Sequence, residues 1–167
     1  MIIKNFEPIN VNKKLLIADR DGTLNIDSGY PHKIEDLTLL DYVINNLKKY
    51  GSLFNLAIVT NQSGIGRGYF DISDTLDFNY ELVRKLKNIG IKTTLIIICP
   101  HKPNDNCRCR KPNPLMIEKT IQIHKISNKN CFMIGDKDSD EKAAISANVK
   151  YEYASPKMET FTKWVNE

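Results

Sequence analysis

The sequence predicts an α/β fold, a parallel sheet with helices on both faces. Three observations predict it. Short apolar runs such as Leu15-Leu-Ile-Ala18 and Leu95-Ile-Ile-Ile-Cys99 are continuous rather than alternating, as strands covered on both faces are. These runs alternate with longer stretches of helical period, which implies right-handed crossovers between parallel strands. The polar clusters Asp19–Thr23, Thr60–Ser63, Cys99–Lys111 and Gly135–Asp140 each follow the carboxyl end of a run, the edge where such sheets bind ligands.

Element by element, Lys14–Asp19 reads as a buried strand, followed by a loop rich in Gly, Asp and Asn. A helix near Asp41–Tyr50 is closed by Gly51, and Leu53–Thr60 is the second strand. Ser73–Ile89 is a long helix stopped by Gly90, and Thr93–Cys99 is the third strand. Pro114–His124 is helical, Cys131–Gly135 is the fourth strand, and Ser139–Ala147 is a further helix. Val149–Ala154 makes a fifth strand and Pro156–Val165 a closing helix. There is no internal repeat, and 167 residues suit one domain over 1–167.

Composition narrows the function classes. With 41% hydrophobic and 26% charged residues the chain is too balanced for disorder. Twenty-four Lys and Arg against twenty Asp and Glu give +4, a surplus that suits an anionic ligand. The basic residues are distributed throughout, without the clustering and interleaved aromatics of a nucleic-acid face. The longest apolar run ends at Pro100 and is too short to span a bilayer. Met1–Lys14 lacks a signal-peptide layout, so a cytoplasmic protein with reduced thiols is expected, acting as a monomer without membrane or nucleic-acid partners.

Asp19-Arg-Asp21-Gly-Thr23 sets two carboxylates two residues apart just past a buried strand. The cost of crowding them falls when a divalent cation sits between, and oxygen-only ligands suit Mg²⁺, which readily shares a substrate phosphate. Such a pair can divide the labour of phosphoryl transfer, Asp19 attacking phosphorus and Asp21 moving protons. Asp136, at the end of the fourth strand, supplies a third oxygen for Mg²⁺, and Asp140, one helical turn on, faces the same way and could orient a metal water. Thr60-Asn61-Gln62-Ser63 offers hydrogen-bond donors to phosphate oxygens, and Lys111 a point charge. Asp138 reads as helix capping. Cys99, His101, Cys107 and Cys109 form a tetrahedral Zn²⁺ set by ligand type, filled entirely by protein and therefore structural. Cys131 lies in an apolar strand and reads as core.

These motifs, in this order, resemble those of the haloacid dehalogenase-like phosphatases: Asp19-x-Asp21-Gly-Thr23, the Thr60 that closes the second strand, Lys111 in Arg110-Lys111-Pro112, and Gly135-Asp136 with Asp140. The resemblance runs from about Lys14 to Val149 and implies a Rossmann-like sheet and catalysis through an aspartyl-phosphate. Asp19–Tyr30, Thr60–Phe70 and Cys109–Pro112 are similar to one subgroup, the D-glycero-D-manno-heptose 1,7-bisphosphate 7-phosphatases of nucleotide-activated heptose biosynthesis, with histidinol-phosphate phosphatases as near relatives. That subgroup uses Mg²⁺, carries a zinc-holding loop and lacks a large cap domain. The resemblance implies that Asp27, Ser28, Gly29, Tyr30, Asn61, Gln62, Ser63, Arg110 and Lys137 contact a phosphorylated sugar. The five-residue gap between His101 and Cys107 fits the histidinol-phosphate phosphatases equally well, and Asn113 stands where His is usual after Arg-Lys-Pro. A reading from another class, a zinc-bearing nucleic-acid-binding module, requires a basic face that the sequence does not concentrate.

Overall fold

The computed structural model describes residues 1–167. In chain order the elements are β1 (Ile2–Asn5), β2 (Lys14–Ala18), α1 (Asp41–Tyr50), β3 (Phe54–Asn61), α2 (Ser63–Arg67) and α3 (Ile72–Asn88). They continue with β4 (Thr93–Cys99), α4 (Leu115–His124), β5 (Cys131–Gly135), α5 (Asp138–Ser146), β6 (Lys150–Tyr153) and α6 (Glu159–Asn166). The strands form one six-stranded sheet in the order β1-β4-β3-β2-β5-β6.

Five strands are parallel, as the continuous apolar runs imply, and β1 is an antiparallel edge paired Ile2 to Ile98 and Asn5 to Leu95. That sixth strand corrects the all-parallel expectation. It carries only two apolar residues and alternates between half-buried and exposed, which is the pattern of an edge rather than of a covered strand. The short α2 was also not foreseen, because Gly64 and Gly66 make it look like a turn.

The sheet has a core on each face, and single strands feed both. Leu16 and Ala18 of β2 pack with Ile58, Phe132, Ile134, Phe161 and Trp164 on one side. Leu15 and Ile17 pack with Val59, Met133, Met116 and Cys131 on the other. Cys131 and Trp164 are therefore packing residues, and burial pushes the Cys131 thiol up to about 12. No helix is long and apolar enough to cross a membrane.

Strand order places the site. From β2 the chain winds outward through β3 and β4 on one side, then returns to build β5 and β6 on the other. The direction of winding reverses between β2 and β5, and ligands bind at that switch point beyond the carboxyl ends. Ala18 pairs with Ile134 in β5 and with Ile58 in β3, so Asp19, Thr60 and Asp136 all leave the sheet at one place.

Candidate active site

A polar cleft of about 330 Å³ opens at that point. Its lining includes Asp19, Asp21, Thr60, Asn61, Gln62, Ser63, Arg110, Lys111, Lys137 and Asp140, with Asp27, Gly29 and Tyr30 on one wall. Thirteen of the predicted residues thus converge from five segments of chain. Ser28 is on the same loop but outside the lining.

Lys111 is the pivot. Its ammonium lies 2.6 Å from Asp19 Oδ1, 2.6 Å from Asp140 Oδ1 and 2.8 Å from the Val59 carbonyl. Burial works against this cation, but Asp19 and Asp140 outweigh it and hold the amine above the ordinary lysine range. Asp140 therefore differs from the expected orienter of a metal water: one oxygen holds Lys111 and the other accepts the Lys137 backbone N–H at 3.1 Å. Gly135 is required beside it, since a Cβ there would lie 2.5 Å from the Asp140 Cβ.

Asp19, Asp136 and Asp140 each offer an oxygen within 4.8 Å of the others. Burial pushes Asp19 up to about 7, with Asp140 adding to it and Lys111 opposing. Asp136 is raised as well, first by burial and then by Asp140, against Lys137. Crowded, buried carboxylates whose ionised forms are disfavoured fit a divalent cation, which reverses both penalties. Gly22 makes room for this cluster: at φ +85°, a Cβ on it would sit 2.2 Å from Asp136 Oδ2.

Asp21 departs from the expected cation set. Its carboxylate is not among the three clustered ones, because four N–H donors hold it. Arg20 forks onto both oxygens at 2.8 and 2.9 Å, Asn25 donates to Oδ1 at 3.0 Å, and Gln62 donates to Oδ2 at 2.8 Å. Of these partners only Gln62 lines the cleft. Gln62 also donates to Thr60 Oγ1 at 2.9 Å, so it links the two predicted catalytic side chains instead of reaching freely toward substrate.

Asn61 is likewise committed elsewhere. Its Nδ2 donates to the Lys111 carbonyl and its Oδ1 accepts the Lys111 N–H, both at 3.1 Å. The amide acts as one rung of a strand, clamping Lys111 to the end of β3, a positioning role beside the cleft that Asn61 lines. At the mouth, Lys137 and Asp27 pair at 3.0 Å. Burial alone would raise the Asp27 pKa, but Lys137 and the Gly29 N–H hold it below the ordinary value.

The loop that carries Arg110 and Lys111 starts at the end of β4 with the four Cys and His side chains. Cys99 Sγ lies 3.6 Å from Cys107 Sγ and 3.5 Å from His101 Nδ1, and Cys109 Sγ lies 3.8 Å from Cys107 Sγ and 3.3 Å from His101 Nδ1. A tetrahedral ion with metal–sulfur bonds of about 2.3 Å needs edges of about 3.8 Å between sulfurs and about 3.5 Å to nitrogen. The ligand set fits Zn²⁺, and the sulfurs are too far apart for a disulfide, whose bond is about 2.05 Å. Arg110 donates to the His101 carbonyl at 3.3 Å, bracing the loop against the residue beside it.

Sequence comparison agrees with this geometry. A protein 42% identical over 144 residues, covering 85% of this chain and 83% of its own length, is the D-glycero-β-D-manno-heptose-1,7-bisphosphate 7-phosphatase of Helicobacter pylori. The chain belongs to the haloacid dehalogenase-like phosphatases. The HAD-hydrolase-like family model matches residues 108–151, the stretch from the zinc-type loop into the start of β6. The heptose bisphosphate phosphatase of Haemophilus influenzae is 40% identical, with 82% of this chain and 78% of that protein covered. Among solved structures, the D,D-heptose 1,7-bisphosphate phosphatase of B. bronchiseptica, complexed with magnesium and phosphate, superposes with a TM-score of 0.75 at 28% identity, covering 90% of this chain and 86% of the other. Within this phosphatase fold, the residues that sequence reasoning missed are Arg20 and Asn25, which hold Asp21 from behind. Their one legible signal was position: both lie in the same loop as the paired aspartates.

Proposed function

We propose that this protein is a Mg²⁺-dependent phosphomonoesterase that removes the 7-phosphate of D-glycero-D-manno-heptose 1,7-bisphosphate through an aspartyl-phosphate. The observation that carries this reading is the convergence of Asp19, Lys111 and Thr60 on one polar cleft, with the Asp136 carboxylate within 4.8 Å of that of Asp19, together with relatives of about 40% identity named for that reaction.

Lys111 holds one oxygen of Asp19 and thereby aims the carboxylate. An Asp19 oxygen forms a bond to phosphorus, the bond from phosphorus to the sugar oxygen breaks, and the departing oxygen takes a proton from Asp21. Asp21, now ionised, takes a proton from water as that water's oxygen bonds to phosphorus; the bond to Asp19 breaks and inorganic phosphate leaves. Thr60 and Ser63 offer hydroxyls to the phosphoryl oxygens, and Lys111 offsets their charge. Mg²⁺, held by Asp19 and Asp136, would neutralise the meeting of an anionic nucleophile with an anionic phosphate. Zn²⁺ held by Cys99, His101, Cys107 and Cys109 would stiffen the loop that delivers Arg110 and Lys111. The polar lining suits a hydroxyl-rich substrate: Asp27, Gly29, Tyr30, Arg110 and Lys137 surround the space beyond the phosphate.

The test is a parallel assay on heptose 1,7-bisphosphate and histidinol phosphate with Mg²⁺. The reading expects the heptose bisphosphate to be turned over with the higher kcat/KM. A preference for histidinol phosphate would move the assignment to the relatives that the short His101–Cys107 gap resembles.

A further inference from the structure

Arg20 lies between the two aspartates and is 0% exposed, stacked with its guanidinium carbon 4.4 Å from the Phe78 ring centroid. Just past the end of β2, Asp19 lines the cleft whereas Arg20 lies outside it, against Phe78 and Asn79 of α3. Every nitrogen of the guanidinium has a partner there. Nε and Nη2 fork onto Asp21, Nη2 also reaches the Pro31 carbonyl at 2.9 Å, and Nη1 reaches Asn79 Oδ1 at 2.9 Å. A two-point fork sets the plane of a carboxylate, which a point charge cannot do. Asn79 is itself 1% exposed, and its amide nitrogen has no partner, so the polar role of this side chain is to accept from Arg20. Pro31 directly follows the loop whose Asp27, Gly29 and Tyr30 wall the cleft.

We infer that Arg20 is a positioning residue, anchored on Asn79 of α3, that fixes the plane of the Asp21 carboxyl and couples it to the 27–31 loop. The inference rests on the reading of Asp21 as proton donor and acceptor. It explains why a buried cation is tolerated directly after Asp19, the partner of Lys111: the fork holds Asp21 from behind, leaving Gln62 as its one partner on the substrate side.

Leaving-group dependence tests this, because p-nitrophenolate departs without a proton and a sugar alkoxide does not. In rapid-mixing experiments with Mg²⁺, Arg20→Lys keeps the charge and removes the fork. It should leave the first step with p-nitrophenyl phosphate near wild type, giving a burst of p-nitrophenol stoichiometric with enzyme, then slow turnover. With heptose 1,7-bisphosphate the first step itself should slow about 10²-fold, the scale of a displaced reacting group, with KM little changed. Asn79→Ala, which leaves the fork in place and removes its anchor, should show the same signature more weakly and covers the case of an Arg20→Lys chain that does not fold. Equal slowing of both first steps, or wild-type behaviour in both variants, would overturn the inference. Asp21→Asn is the control: loss of leaving-group dependence there would overturn the reading of Asp21 itself, whereas its retention beside an unaffected Arg20→Lys would overturn only the role of Arg20.

Discussion

The molecule carries two clusters of metal-type ligands, and they are built in opposite ways. The carboxylate cleft gathers Asp19 from the end of β2, Asp136 from the end of β5 and Asp140 from α5, and its central contact, Lys111 to Asp19, closes over 92 residues of chain. The Cys/His set comes from one loop between Cys99 and Cys109. In the cleft the sheet supplies the geometry, and a cation would supply charge. In the loop the backbone between Cys99 and Cys109 has no strand or α-helix of its own, and a cation would supply the geometry. The two meet at Lys111, which is delivered by the loop and used in the cleft.

Breaking either side alone should therefore give different failures. Asp19→Asn should abolish turnover by about 10⁴-fold or more while zinc content stays constant and Tm is kept or raised, since a buried carboxylate that resists ionisation is removed. Residual wild-type rates would refute its role as nucleophile; kcat with metal analysis and melting checks it. Cys107→Ser should reverse the pattern, losing zinc and roughly 10 °C of Tm, at about 2–4 °C per kcal/mol for a chain of this size, before losing chemistry. Retained Tm with lost activity would contradict a structural loop.

Asn61 sharpens the comparison, because its amide is the clamp between the two regions. Asn61→Ala should lower kcat by about 10²-fold through a displaced Lys111, with zinc retained and KM nearly unchanged. A rise in KM at constant kcat would return Asn61 to substrate contact.

The smallest effect lies far from both. His124 is 4% exposed, with Nε2 2.8 Å from Thr94 Oγ1 and Nδ1 2.7 Å from the Thr120 carbonyl. Burial holds its pKa below the ordinary 6.5, against the Thr120 carbonyl, so the unfolded chain binds the extra proton first. The His124 contribution to stability should consequently be lost as pH drops below about 6.5, opposite in sign to that of Asp19, whose raised carboxyl stabilises toward lower pH. His124→Gln should flatten that slope by about 1 kcal/mol or less, read from Tm across the same range.

Much of this was legible without coordinates, and physics explains which part. Continuous apolar runs announced β2 to β5, and the motifs after them named Asp19, Thr60, Lys111 and Asp136, because strand ends are where local sequence and global topology coincide. The Cys and His spacing was legible because its ligands are near neighbours in the chain. The rest depended on pairs distant in sequence. Nothing local marks Asn61 as a clamp rather than a phosphate donor, or tells that Asp140 faces Lys111. Arg20 was hidden for the same reason, its partners Asn79 and Pro31 lying on other elements. The edge strand β1 escaped because half-buried Ile2 and exposed Ile3 are too few to form a run.

The most direct test of the account is to trap the intermediate. Asp21→Asn protein mixed with p-nitrophenyl phosphate and Mg²⁺, whose leaving group needs no proton, then acid-quenched and digested, should yield one peptide heavier by a single phosphoryl group, the peptide bearing Asp19, and borohydride should reduce that side chain to homoserine. Substrate consumed by wild type with no phosphoryl group on any Asp19 peptide, in wild type or in Asp21→Asn, would contradict it.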